Sequence, residues 1–225
     1  MELKTLTRND FIKNYWNYFL LLEQDFLNTE KYISIDINNA HSFSIEYLKL
    51  YLSVCSEVDV ILKTFCKLVD NAYKGDNIME HLYLLTNQFN YLTEQKVILN
   101  KYDLTFMPWV DVNIEVRYDK NGYKKYKGNL PNWWHHYNNV KHKRTEINSK
   151  FNKSNFNFAN QENLLNALAG LFIIEKKLLW YINIKNIKPV DKKTKIEYQK
   201  SKLFEKDDVD EILDNLYDRI SRLEE

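Results

Sequence analysis

Residues 133–144 read WWHHYNNVKHKR, and this window holds three of the chain's five histidines, two tryptophans and three cations. Histidine near its ordinary pKa gives or takes a proton at neutral pH, and a neighbouring lysine or arginine can hold a phosphate and neutralise charge that develops on it. RNA cleavage needs little more. A base removes the proton of the 2′-hydroxyl, cations stabilise the phosphorane, and the RNA supplies its own nucleophile, so neither metal nor cofactor is required. His142 with Lys141, Arg144 and Asn138 forms the minimal catalytic set, and Trp134, Tyr137 and Thr145 are the expected binding residues beside it. A metal site is disfavoured here, because His135 and His136 are adjacent, point in different directions on a helix and have no carboxylate at ligand spacing.

The element that must carry these groups is a helix. Pro131 suits its first turn, and residues 131–151 contain no further breaker. At 100° per residue Trp133, Tyr137, Val140, Arg144 and Ile147 share the packing face; Trp134, Asn138, Lys141, His142 and Thr145 form a neighbouring polar sector, and His135, His136, Asn139 and Lys143 face away.

The rest of the chain reads as the scaffold of that helix. Four glycines and three prolines in 225 residues favour long helices over a turn-rich β architecture. A first helix is predicted over residues 9–28, with Phe11, Tyr15, Tyr18, Phe19, Leu22 and Phe26 at helical spacing. A second runs from Ser42 or Ser44 to about residue 73 and carries two apolar stripes, the mark of a helix packed between neighbours. Asp59 interrupts the second stripe and must find a cation or donors; Asp59 or nearby Glu57 is expected to support Lys141, His142 or Arg144.

After the stop at Gly75 and Asp76, a third helix is predicted over residues 77–100. Residues 102–130 then alternate, with the turn DKNG between β-prone arms, and predict a small hairpin inserted into the bundle. Residues 162–182 are apolar nearly all round through Ile174, as a central core helix must be.

The predicted fold is therefore an all-α bundle of about five to six helices with a small β-hairpin insertion, spanning residues 1–183. Residues 184–225 would be a polar linker and a short acidic helix over 207–223.

Net charge is only +1, but it is unevenly placed. Residues 117–153 hold ten Lys/Arg against Asp119 and Glu146, and residues 204–225 hold nine acids against three cations. A basic patch attracts anions even on a nearly neutral molecule. The first residues, MELKTLTRNDF, show no basic segment leading into an apolar run, so no secretory leader is expected. The longest apolar run, residues 164–174, is too short to cross a bilayer. Cys55 and Cys66, both in one apolar stretch at a spacing unlike redox or zinc motifs, read as reduced core residues of a cytoplasmic protein.

A helical bundle with a late helix bearing a polar residue, a histidine and flanking cations resembles the HEPN superfamily. The run LPNWWHHYNNVKHKR followed by NFANQENLLNALAGLF looks like a bacterial branch of it, over roughly residues 9–183. The resemblance implies homodimerisation and a metal-independent ribonuclease of phage-defence, abortive-infection or toxin–antitoxin type, with an antitoxin or defence-system partner. The superfamily's motif is an arginine, usually followed by a polar residue, with four to six residues in all before a histidine; His142 takes its histidine position and Asn138 its polar position, while the arginine position falls on Tyr137 or His136, neither of which is arginine. The alternative that this departure implies is a non-catalytic HEPN-like module that binds a protein or a nucleotide.

Overall fold

Two 25-residue helices, α3 (Ile45–Val69) and α6 (Gln161–Lys185), pack along each other and collect the other elements around them. The computed structural model describes residues 6–185 and 198–206. In chain order α1 (Arg8–Phe11) passes through a π-helical stretch, Ile12–Trp16, into α2 (Asn17–Asn28). After α3 come α4 (Ile78–Gln88), the strands β1 (Val97–Leu99), β2 (Leu104–Phe106), β3 (Asn113–Tyr118) and β4 (Lys124–Asn129), then α5 (Asn132–His142), β5 (Ile147–Asn148), β6 (Lys153–Ser154), α6 and β7 (Glu205–Lys206). The architecture is mostly helical with small antiparallel sheets, and none of the described helices is long and apolar enough to cross a membrane.

Local chemistry starts these helices. Thr7 and Asp10 form a reciprocal capping box on α1, Ser44 Oγ accepts the Tyr47 amide 3.0 Å away at the start of α3, and Asn77 Oδ1 accepts the Glu80 amide at 3.2 Å at the start of α4. Asn160 Oδ1 does the same for α6 through the Asn163 amide at 2.9 Å. Gln161, buried at the same end, ties the preceding loop down: its amide group donates to Ser34 O at 3.0 Å and Tyr47 Oη at 3.1 Å, and its carbonyl accepts from the Asp36 amide at 3.2 Å.

Packing then decides the rest. Val54, Val58, Ile61 and Phe65 of α3 and Leu164, Leu168, Leu171, Ile174 and Leu178 of α6 are fully enclosed. Each such side chain contributes about 1.5–3 kcal/mol of transfer free energy. The two apolar stripes expected on α3 are both used, since α3 packs on α2, α4, α5 and α6.

Outside α5, three boundaries differ from the sequence expectation. The third helix ends at Gln88 rather than near residue 100, because Val97–Leu99 is drawn into a sheet of order β2-β1-β7, with Ile98 paired to both Thr105 and Glu205. The inserted hairpin is correspondingly narrower, β3 with β4 in the register Val116↔Tyr126. The described part of the expected linker, residues 198–202, docks: Gln199 O accepts from Trp16 Nε1 at 2.7 Å, and buried Glu23 accepts from the amides of Lys202 and Leu203 at 3.0 and 3.1 Å. The expected acidic helix over 207–223 lies outside the described residues.

Glu175 is an anomaly in this core. It is 0% exposed, and neither carboxylate oxygen has a hydrogen-bond partner among the described residues. Burial first, and the carboxylate of Glu57 second, push its pKa well above the ordinary range, so the group is held protonated. An unpaired buried polar group costs about 1–3 kcal/mol in proteins. Glu175→Met should therefore raise stability at pH 7 by about 2 kcal/mol, measured by chemical denaturation; a loss of stability would show that the carboxyl has a partner.

Candidate functional site

The helix that carries the histidine-rich window is held by its indoles. Trp133 Nε1 donates to Pro108 O at 2.8 Å, its ring meets that of Trp109 edge-on with centroids 5.1 Å apart, and Trp109 Nε1 donates to Gly170 O of α6 at 3.2 Å. A Cβ at Gly170 would stand 3.1 Å from Trp109 and 3.2 Å from Trp133, so glycine leaves the room that both indoles occupy. On the other side Tyr51 Oη of α3 donates to the carbonyl of Trp133. The packing face expected for α5 is correct for Trp133, Tyr137 and Val140, which are 3%, 4% and 0% exposed.

Beyond that face the expectation needs correction. Trp134 and Tyr137, expected to bind a ligand, are buried against one another with centroids 5.0 Å apart, and Tyr137 also meets Tyr51 edge-on. Neither offers a free ring. His136 is half-buried: it stacks on Phe158 with centroids 4.0 Å apart and planes 8° from parallel, and burial lowers its pKa to about 4.

The helix also stops at His142, well short of residue 151. The chain returns as β5 and β6, and the returning residues capture the carbonyls at the helix end: Asn155 Nδ2 donates to Lys143 O at 2.9 Å, and Ser154 Oγ and the Phe156 amide donate to Arg144 O, each at 3.0 Å. Arg144 and Thr145 consequently lie outside the helix, both exposed, and Ile147 is 62% exposed rather than packed.

What remains at the surface is a cationic helix end. Lys141, His142, Lys143, Arg144 and Thr145 are consecutive and exposed, and Asn138 is half-buried one turn earlier. Lys143 lies 3.8 Å from Glu146, while Lys141, His142 and Arg144 have no carboxylate within 4 Å among the described residues. Lys141 sits over the Tyr137 ring, 5.4 Å from its centroid. A groove of about 340 Å³ lined by Asn17, Leu20, Leu21, Glu23, Gln24, Gln199 and Lys202 contains no residue of α5. The patch lies at the surface, with residues 141–145 all exposed.

The expected supporting carboxylates are placed differently. Glu57 faces Glu175. Asp59 makes no ion pair with Lys141, His142 or Arg144; its Oδ1 lies 4.0 Å from Nε2 of His81, although Lys141 is near enough for its charge to oppose the rise that burial imposes on the Asp59 pKa. His81 is 0% exposed, and its Nδ1 is 2.6 Å from Tyr73 Oη. Burial, then the charge of Lys63, lowers the His81 pKa to about 4, so the ring is neutral at pH 7. Cys66 Sγ donates to His81 O at 3.4 Å, and burial raises the Cys66 pKa to about 12, leaving an inert thiol; Cys55 is likewise buried and free.

Asp59 of α3, His81 of α4 and Tyr73 of the connecting segment thus lie in line near Lys141 of α5, with His81 Nε2 left without a hydrogen-bond partner among the described residues. His81 and Tyr73 were not singled out by the sequence reading. Their signal was a histidine at helical spacing with Ile78, Leu82 and Leu85, which is a polar group inside an apolar stripe just as Asp59 is.

Folded His81 stays neutral down to about pH 4, while the unfolded chain's histidine is protonated below its ordinary value of 6.5. The unfolded state therefore binds more protons within that window, and stability falls as pH drops from 6.5 to 4, by on the order of 3 kcal/mol in all. His136 acts in the same direction and Glu175 in the opposite one, being protonated when folded and ionised when unfolded above the ordinary carboxyl range. Urea midpoints measured across pH 4–6.5 should accordingly fall less steeply in His81→Gln than in the wild type, and equal slopes would mean that His81 is not the titrating group. No protein-family model, curated protein or solved structure matches this chain, so its activity must be argued from the geometry of this surface.

Proposed function

We propose that this chain binds RNA at the cationic end of α5 and cleaves it there without a metal ion, as a HEPN-like ribonuclease of phage-defence or toxin type. One observation carries the reading: His142 stands exposed at the last position of an anchored helix, flanked by Lys141 and Lys143 with Arg144 next, and neither it, Lys141 nor Arg144 has a carboxylate within 4 Å among the described residues. A proton-transfer group and a cation are thereby presented together on one anchored helix, with Arg144 two residues past its end.

In the proposed reaction His142 takes the proton of the ribose 2′-hydroxyl, whose oxygen attacks the adjacent phosphorus. The P–O5′ bond breaks, leaving a 2′,3′-cyclic phosphate, and a proton returns to the departing 5′-oxygen. Lys141 and Arg144 hold the phosphate and offset its developing charge, and Asn138 orients the histidine or the substrate. A homodimer and an antitoxin or defence-system partner belong to the same reading.

A second reading is a non-catalytic HEPN-like module that binds a protein or nucleotide partner. It is favoured by what stands at the motif's arginine position: Tyr137 is buried and His136 is stacked on Phe158, and neither supplies a permanent cation.

Cleavage of total cellular RNA and tRNA with EDTA present separates the two. The wild type should cut and His142→Ala should not, with the variant's stability within about 0.5 kcal/mol of the wild type because the side chain is exposed. Salt-sensitive RNA binding with no cutting by either protein would favour the binding module, and a large stability loss in the variant would assign His142 to packing.

A further inference from the structure

The β3–β4 hairpin has two unlike faces. Residues paired across an antiparallel ladder point to the same side, so the register puts Ile114 and the Val116/Tyr126 pair on one face and the Glu115/Lys127 and Arg117/Lys125 pairs on the other. The first face is attached: Tyr126 meets Tyr83 of α4 with ring centroids 5.4 Å apart, and Ile114 packs on the core. The second face is exposed and basic. Arg117 pairs with Glu115 at 2.5 Å, while Lys125 and Lys127, with Lys120 at the turn, have no carboxylate within 4 Å among the described residues.

The tip is rigid and aromatic. Asp119 Oδ1 accepts the amides of Asn121 and Tyr123, both at 2.9 Å, the Asp119 amide donates to Tyr123 O at 2.9 Å, and Gly122 takes the positive φ of +79° that the turn requires. The acid at the tip is thus turned onto backbone amides. Tyr118 and Tyr123 flank the turn, each 67% exposed. The ladder places Tyr123 on the basic face, one step beyond the Arg117/Lys125 pair.

We infer that this hairpin is a docking arm for single-stranded RNA, with Tyr123 as a stacking platform for a base and Arg117, Lys125 and Lys127 as phosphate contacts. Lysines alone would suit any polyanion, but an exposed ring fixed among them calls for a ligand with both phosphates and free aromatic faces. A duplex keeps its bases stacked and offers no such face, and an acidic chain without aromatic residues, such as polyglutamate, has no ring for Tyr123. The arm also leads into the proposed site: β4 ends at Asn129, α5 starts at Asn132, and the 11 residues of α5 span about 16 Å to His142. The inference takes RNA from the function proposed above but does not depend on His142 being catalytic.

The test is fluorescence anisotropy of the full chain carrying His142→Ala, so that nothing is cut, with a labelled single-stranded RNA of mixed sequence and with its duplex. Adding Tyr123→Ala should weaken single-strand binding about tenfold, Tyr123→Phe should not, and Lys125→Glu with Lys127→Glu should weaken it further and flatten its salt dependence. All three positions are exposed, and unchanged thermal melting verifies that the fold is intact. Unchanged affinity in Tyr123→Ala, duplex bound as tightly as single strand, polyglutamate displacing RNA equally well from the Tyr123→Ala variant and its parent, or no salt-sensitive binding at all would each overturn the inference. The two proposals fail separately. Tyr123-dependent binding by a wild type that never cuts RNA removes only the catalysis, and His142-dependent cutting that is indifferent to the hairpin variants removes only the arm.

Discussion

The burial of α3 against α6 is the constraint from which the remaining structure follows. Two helices of 25 residues each present apolar groups on more than one side, and neither can satisfy them against a single neighbour. The other elements are the covers this demands. α2 lies against both helices, α4 closes a flank of α3, and α5 fills the corner between the two, where Gly170 leaves space for Trp109 and Trp133. Dense packing transmits position, so the placement of α5 follows from a missing side chain on α6 and a hydroxyl on α3.

The same packing sorts the polar groups. Those with partners of complementary geometry are used as joints: Gln161 ties the 34–36 loop to α3 and α6, Glu23 receives residues 201–203, and Nδ1 of His81 meets Tyr73, while its Nε2 has no hydrogen-bond partner among the described residues. Glu175, enclosed with Glu57 as its charged neighbour, is tolerated by staying protonated. Low dielectric surroundings decide in each case which protonation state survives, which is why the buried histidines are neutral and both thiols are inert. Among the titratable groups of α5, His135, Lys141 and His142 are the ones the core leaves exposed.

Much of this was legible wherever the signal was local. Ser44 and Asn77 mark helix starts because a side-chain oxygen three residues before an amide needs nothing from elsewhere. Trp133, Tyr137 and Val140 show the packing face of α5 because helical spacing alone puts them on one line. The ends of α4 and α5 were not legible. Val97–Leu99 becomes a strand by pairing with residues 104–106 and with 205–206, and α5 stops where residues 154–156 return to take the carbonyls of Lys143 and Arg144 just beyond it.

What the sequence by itself determined is the class of scaffold, the starts of its helices, the central role of residues 162–182, and the presence of a basic stretch with histidines and tyrosines over residues 117–153. These follow from periodicity, capping chemistry and charge, properties of residues close together in the chain. Which of those groups meet solvent and which partners they find was decided only by the tertiary structure. Asp59 is directed to His81, Tyr137 and Trp134 to the core, and His142 to an exposed helix end, because each outcome depends on residues brought together from different helices by the burial of α3 and α6.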